Sequence, residues 1–189
     1  MQMRFPLALA AAFVLAQTAA AQAPAKVLPA QSHIDFTIKE MGVGVDGKFA
    51  KWSADIAFDP KKPEAGKVAF TIDTASATLG SPETDSEVPK AAWFNVAKFP
   101  TATFASTAIK AKGGGKFDVD GKLSIKGTTR DITVPIAVAQ AGGITTATGQ
   151  FAIKRTQYKI GEGEWSDTST LADDVQVKFQ IALSGVSPL

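Results

Sequence analysis

Along most of this chain apolar residues return at every second position, a spacing that suits strands with one buried face and not helices. Ile34, Phe36 and Ile38 share one face of the first run, with His33, Asp35 and Thr37 on the other. Trp52, Ala54, Ile56 and Phe58 repeat the pattern until Asp59-Pro60 closes it. Val68, Phe70 and Ile72 follow, then Ala102 and Phe104, then Phe117, Val119, Leu123 and Ile125. Ile132, Val134, Ile136 and Val138 form the next run, then Phe151 and Ile153, and last Val175, Val177, Phe179, Ile181 and Leu183. Gly113-Gly114-Gly115 and Gly142-Gly143 stand where hairpins turn, and Asp120-Gly121 marks a bulge or tight bend. About eight strands with one apolar face each close as an antiparallel barrel or fold as a sandwich. No repeat period and no interior linker argues for a second domain, so residues 22–189 read as one.

The N-terminus has a different character. A short basic head ending at Arg4 precedes an almost unbroken apolar run from Phe5 to Ala16, and Ala19 and Ala21 place small residues at −3 and −1 of a cut. That pattern is a secretory signal peptide over residues 1–21, cleaved after Ala21, and it implies export. The rest of the chain has no apolar run approaching the ~18–20 residues of a membrane helix. Cysteine is absent, which excludes thiol chemistry, Cys-ligated zinc and disulfides. Twenty basic residues against eighteen acidic, without a block of either sign, argue against nucleic acid as a partner.

Only one segment carries helical signals. Ser81 to Asp85 offers N-cap chemistry, and Val88, Ala92, Trp93 and Val96 fall at roughly helical spacing. Pro89 fits only in a first turn, and Pro100 ends the segment ahead of the next strand. The adjacent aromatics Trp93 and Phe94 are thus expected at the end of a short helix lying across a barrel mouth, with at most one touching a ligand.

Catalytic and metal motifs fail one by one. His33 is the sole histidine and alternates onto a polar face, so neither a Ser-His-Asp set nor HExxH can be built. Gly115 to Lys122 has P-loop-like glycines at the wrong spacing and reads better as a hairpin. Asp118 and Asp120 lack the remaining ligands of a calcium loop. Asp173-Asp174 with Glu162 and Glu164 offers either a weak divalent-cation site or a solvated loop. No catalytic residue and no metal ligand is assigned, and the chain reads as a non-enzyme.

One charge sits on the wrong face. Arg155 keeps the parity of Phe151 and Ile153, and Asp173 keeps that of Val175 and Val177. If these strands pair as neighbours, Phe151 opposes Val177, Ile153 opposes Val175, and Arg155 opposes Asp173. The expectation is an Arg155–Asp173 salt bridge at the neck of loop 156–172, serving as a structural clamp or as a polar anchor for a head group. The loop carries Tyr158, Ile160 and Trp165, and its length suits folding back onto one end of the barrel.

Several stretches, in order, then point the same way: SHIDFTIKEMGVGVDGKF, VAFTIDTASATLG, WFNVAKFPTATFAST, GKLSIKGTTRDITVPI and IKRTQYKIGEGEWSDTSTLADDVQV. Together they resemble the YceI-like family of lipocalin-like, polyisoprenoid-binding proteins of the bacterial periplasm, over about Gln31 to Leu183. Many relatives place Arg-Asp and a Leu ahead of the aromatic pair, where this chain has Thr84-Asp85-Ser86-Glu87-Val88. The resemblance implies an all-β, eight-stranded antiparallel lipocalin-like barrel with one short helix near a mouth and a long loop before the last strand. Its apolar lumen would hold a long-chain isoprenoid or fatty-acid-like amphiphile, with no further cofactor. The expected wall is Ile34, Phe36, Trp52, Ile56 and Phe70 from the first half, with Trp93, Phe94 and Phe104. Phe117, Val119, Phe151, Val177 and Phe179 complete it. Small residues at lining parity, among them Ala54, Ala102 and Gly121, favour a tunnel over a filled core. Binding, storage or transport of such a lipid is the first functional expectation. A non-catalytic module that docks a membrane or membrane-redox partner is the second, with transient membrane contact and a homodimer as associated partner expectations.

Overall fold

The computed structural model describes residues 24–189, so the signal peptide expected over 1–21 and its cut after Ala21 lie outside the described residues. In chain order the elements are β1 (Lys26–Val27), β2 (His33–Glu40), β3 (Val43–Phe49), β4 (Trp52–Ala57), β5 (Lys67–Asp73) and β6 (Ala77–Thr78). The helix α1 (Pro82–Glu87) follows. Then come β7 (Thr101–Gly113), β8 (Lys116–Ile125), β9 (Thr128–Ala141), β10 (Ile144–Lys154) and β11 (Leu171–Ser184). All strands join one curled antiparallel sheet in the order β4-β5-β7-β8-β9-β10-β11-β2-β3-β6, with β1 added to β11. The sheet curls because β3 runs directly into β4, which brings its two ends together in the chain. At the other end Ala25 donates its backbone N–H to the Ile56 carbonyl at 2.7 Å while Lys26 and Val27 pair with Ser184 and Leu183. The N-terminal segment thereby ties β4 to β11.

The alternating runs fall on strands, except that Phe58 lies just past the end of β4, but the sheet has eleven strands where about eight were expected. Strands β1 and β6 are two-residue pieces. The instructive omission is β3, Val43-Gly44-Val45-Asp46-Gly47-Lys48-Phe49, whose inward positions read Val, Gly, Phe. Gly47 lies opposite Phe36, and the Phe36 ring occupies the space where its Cβ would be, with Cζ 2.3 Å from that point. Inward volume on β3 is thus supplied by its neighbour, and the strand loses its own apolar signal. The same arrangement recurs where Phe104 covers Gly121 and Phe179 covers Gly149, at 2.4 and 2.5 Å from the absent Cβ. Each ring lies along the wall, over a neighbouring strand's backbone, instead of filling the middle.

Turns follow their chemistry. Gly114 and Gly115 connect β7 to β8, and Gly142 and Gly143 connect β9 to β10, all with positive φ. The bulge signalled by Asp120-Gly121 is present, with the extra residue, Thr107, on the facing strand between Ser106 and Ala108. Helix α1 is shorter than expected and ends at Glu87. Pro89 has no N–H to continue it, so Trp93 and Phe94 lie in a run of turns beyond the helix, not at its end.

Candidate functional site

Inside the curled sheet is a cavity of about 800 Å³, walled by side chains of β2, β3, β4, β5 and all of β7 to β11. The Phe-over-Gly pairs explain it physically: three of the largest inward side chains lie flat against the wall. Many of the large wall side chains, among them Phe36, Phe70, Phe104, Phe151 and Phe179, are consequently half-buried, because they border space instead of each other. Ile34, Phe36, Ile56, Phe70, Phe104, Val119, Phe151, Val177 and Phe179 stand on this wall as expected, and Ala102 joins them.

Two expected wall residues do not border the cavity. Phe117 is 4% exposed and packs edge-on against Phe58, ring centres 5.1 Å apart, and Phe58 is the one of the two that borders the cavity. Trp52 lies beside Phe70 at 6.0 Å and pairs with Ile72, which pairs with Ala102, so it stands at the opposite end of the sheet from Phe117. Their parity is inward, but inward parity alone does not bring a side chain to the open space. Ala54, also of inward parity, is absent from the cavity wall.

One end is covered by α1, the turns after it and the loop before β11, where Val88 and Ile160 border the cavity, with Leu79 just before α1 and Leu171 at the start of β11. Trp93 and Phe94 both border the cavity. Phe94 packs edge-on against Phe49 at 6.1 Å, and Trp93 lies against Trp165 at 5.5 Å. Asp85 fixes the start of this cover by accepting from the Thr78 hydroxyl at 2.5 Å and the Leu79 amide at 2.6 Å. Those bonds hold its carboxyl below the ordinary carboxylate pKa. Trp93 Nε1 is the one buried side-chain N or O without a hydrogen-bond partner among the described residues.

Strands β10 and β11 pair in the expected register, Phe151 with Val177 and Ile153 with Val175. The expected Arg155–Asp173 salt bridge does not form. The ladder stops at Lys154–Asp174, and Arg155 turns into a 3-10 turn, Arg155–Tyr158, with its side chain wholly buried at 0% exposure. Its guanidinium donates to four backbone carbonyls: Ala172, Ile160 and Gly161 at 3.0 Å each, and Leu171 at 2.7 Å. Burial draws its pKa below the ordinary guanidinium value, opposed by the nearby Asp173 charge. Asp173 instead accepts from the amide and hydroxyl of Thr156 at 3.0 and 2.8 Å. A carbonyl cage satisfies a buried guanidinium better than one carboxylate, because it meets four donors pointing in different directions.

A second buried cation leaves no mark in the sequence pattern. Lys126, in the β8–β9 turn, has a side chain only 4% exposed. Its Nζ donates to the carbonyls of Ala91 and Lys159 at 2.7 and 2.6 Å and to Glu162 at 2.9 Å. It thereby pins the turns after α1 to the loop before β11. A Lys-Gly turn reads as solvated in any sequence, so only the tertiary contacts reveal it. The acidic residues considered for a cation are dispersed: Glu162 to Lys126, Asp174 to Lys154, Asp173 to Thr156. Among the described residues no group of three His, Cys, Asp or Glu converges as a metal site. Gly115 to Lys122 forms a hairpin turn and strand, and His33 is exposed.

The charged residues on the cavity wall are Glu40, Glu83, Glu87, Glu164 and Arg155, all toward the covered end. The arrangement is an apolar chamber rimmed by carboxylates toward its covered end.

Comparison with known proteins agrees with this architecture. A family profile described as YceI-like domain matches residues 26–183. A UPF0312 protein of Azotobacter vinelandii is 38% identical over 102 residues, a match spanning 53% of each chain. Protein YceI of Salmonella arizonae is 35% identical over 155 residues, covering 81% of this chain and 80% of that one. Among solved structures, Burkholderia cenocepacia BcnA is 43% identical, with a TM-score of 0.81 over 83% of this chain and 99% of its own. A polyisoprenoid binding domain from Saccharophagus degradans shares the fold at 16% identity, TM-score 0.66, over 85% of this chain and 97% of its own.

Proposed function

The chain belongs to the YceI-like domain family, and from that premise we propose that it binds a long-chain isoprenoid or similar amphiphile in its lumen, for storage or transport in the periplasm. The observation that carries this reading is the chamber of about 800 Å³, whose wall is apolar along nearly its whole length. That volume lies in the range of small-molecule sites, and burying a polyprenyl chain contributes ~25 cal/mol per Å² of apolar surface. The expected leader over residues 1–21 supports a periplasmic address. The test is native mass spectrometry of gently purified protein, followed by organic extraction. A co-purifying apolar molecule of isoprenoid mass is expected, and repeated extracts without one, together with failure to bind geranylgeraniol, would refute the reading.

A docking role at a membrane has one observation in its favour. The large exposed apolar side chains among the described residues are Met41, Val43 and Leu189, so the lid and the loop before β11 contribute none. Met41 and Val43 form the tip of the β2–β3 hairpin, 76% and 68% exposed, beside Glu40 and Val45 of the cavity wall. In this reading the tip touches a bilayer during lipid transfer. Met41→Ser/Val43→Ser is expected to slow uptake of geranylgeraniol from phosphatidylcholine vesicles while leaving equilibrium affinity unchanged; unchanged uptake would remove the tip from the mechanism.

A further inference from the structure

We propose that the chamber selects lipids with an uncharged head group and rejects the same chain carrying a phosphate. The inference rests on the lumen reading above and concerns its polar end. Four of the five charged residues on the wall are glutamates, Glu40, Glu83, Glu87 and Glu164, contributed by β2, by α1 and by the loop before β11. Glu87 pairs with Lys90, whereas Glu40, Glu83 and Glu164 have no cationic partner among the described residues.

The one wall cation cannot offset them for a ligand. Arg155 spends four of its five N–H donors on the carbonyls of Ile160, Gly161, Leu171 and Ala172, and its side chain is fully buried. Among the residues of the wall, an anion arriving at this end meets unpaired carboxylates and no free positive group. A hydroxyl, ether or carbonyl head group carries no charge for the carboxylates to repel. Repulsion of a head-group anion by three unit charges through a water-like dielectric sums to about a tenfold difference in affinity.

The experiment compares geranylgeraniol with geranylgeranyl monophosphate, which have identical tails, by competition against Nile red below the lipids' aggregation concentrations. The expected result is at least ~10-fold tighter binding of the alcohol, with the gap narrowing as salt rises. Glu40→Gln/Glu83→Gln/Glu164→Gln should bring the two affinities together. All three positions are exposed, so the fold is retained, and circular dichroism checks this. Equal affinities in the wild type, or a preference that the triple variant leaves intact, would overturn the proposal. If neither lipid binds, the lumen reading falls and this inference falls with it.

Discussion

Gly47→Ala tests the physical origin of the cavity. An alanine Cβ there would stand 2.3, 2.6 and 2.9 Å from Cζ, Cε2 and Cε1 of Phe36, and these ring atoms are its three nearest neighbours. Carbon atoms rest at ~3.5–4.0 Å, so the ring must withdraw by about 1.2 Å or more. The obstacle is the far end of a rotatable side chain, and the open direction is the lumen. Stability should change little: replacing a strand glycine contributes roughly 0.5–1 kcal/mol, against roughly 1–3 kcal/mol of packing strain. Binding should suffer much more, because a phenyl ring enters the ligand's space; a loss of about tenfold for geranylgeraniol, ~1.4 kcal/mol, is expected. Nile red competition reads affinity and urea unfolding reads stability. Gly47→Ala/Phe36→Leu should recover binding by removing the displaced ring. Unchanged affinity in the single variant, or no recovery in the double, would refute the account of rings laid on glycines as the source of the chamber. Gly149→Ala is a harsher change, since its Cβ would also meet the Pro135 carbonyl oxygen at 2.8 Å.

Other outcomes follow from the buried cations and the wall. Arg155→Met leaves four carbonyls without their donor and should cost about 3–5 kcal/mol in urea unfolding, with a change in Trp fluorescence from the loop that carries Trp165. A cost below about 1 kcal/mol would show that water replaces the guanidinium. Phe104→Arg should abolish binding of geranylgeraniol, because an unpaired charge enters an apolar wall; retained binding would place Phe104 away from the ligand. Burial pushes the Asp173 pKa up, but the two hydrogen bonds from Thr156, together with the charges of Lys154 and Arg155, leave it below its ordinary value. A depressed carboxylate stabilises the fold above its unfolded pKa and loses that contribution as pH falls through the folded one. Hydrogen-exchange protection of the Thr156 amide should therefore persist at neutral pH and fade below the usual carboxylate range; protection indifferent to acid would contradict this.

Period-two alternation was enough to identify the sheet, its inward faces and even the β10–β11 register, because side chains on a strand alternate whatever surrounds them. Turn glycines were equally legible, since positive φ restricts residue choice locally. The opposite held wherever one element supplied what another lacked. Strand β3 was invisible because Phe36 provides the bulk that Gly47 omits. Trp52 and Phe117 have the right parity, but parity does not say which inward side chains border open space. Arg155 was correctly placed inside, yet its partners are carbonyls of a loop that folds back over it, and Lys126 acquires its burial the same way. By itself, then, the sequence determined the class of fold, the inward faces and the family. Only the tertiary structure decided where the chamber is hollow, what covers it and which charges remain free at its mouth. Those properties depend on contacts between residues distant in the chain, which no local pattern encodes.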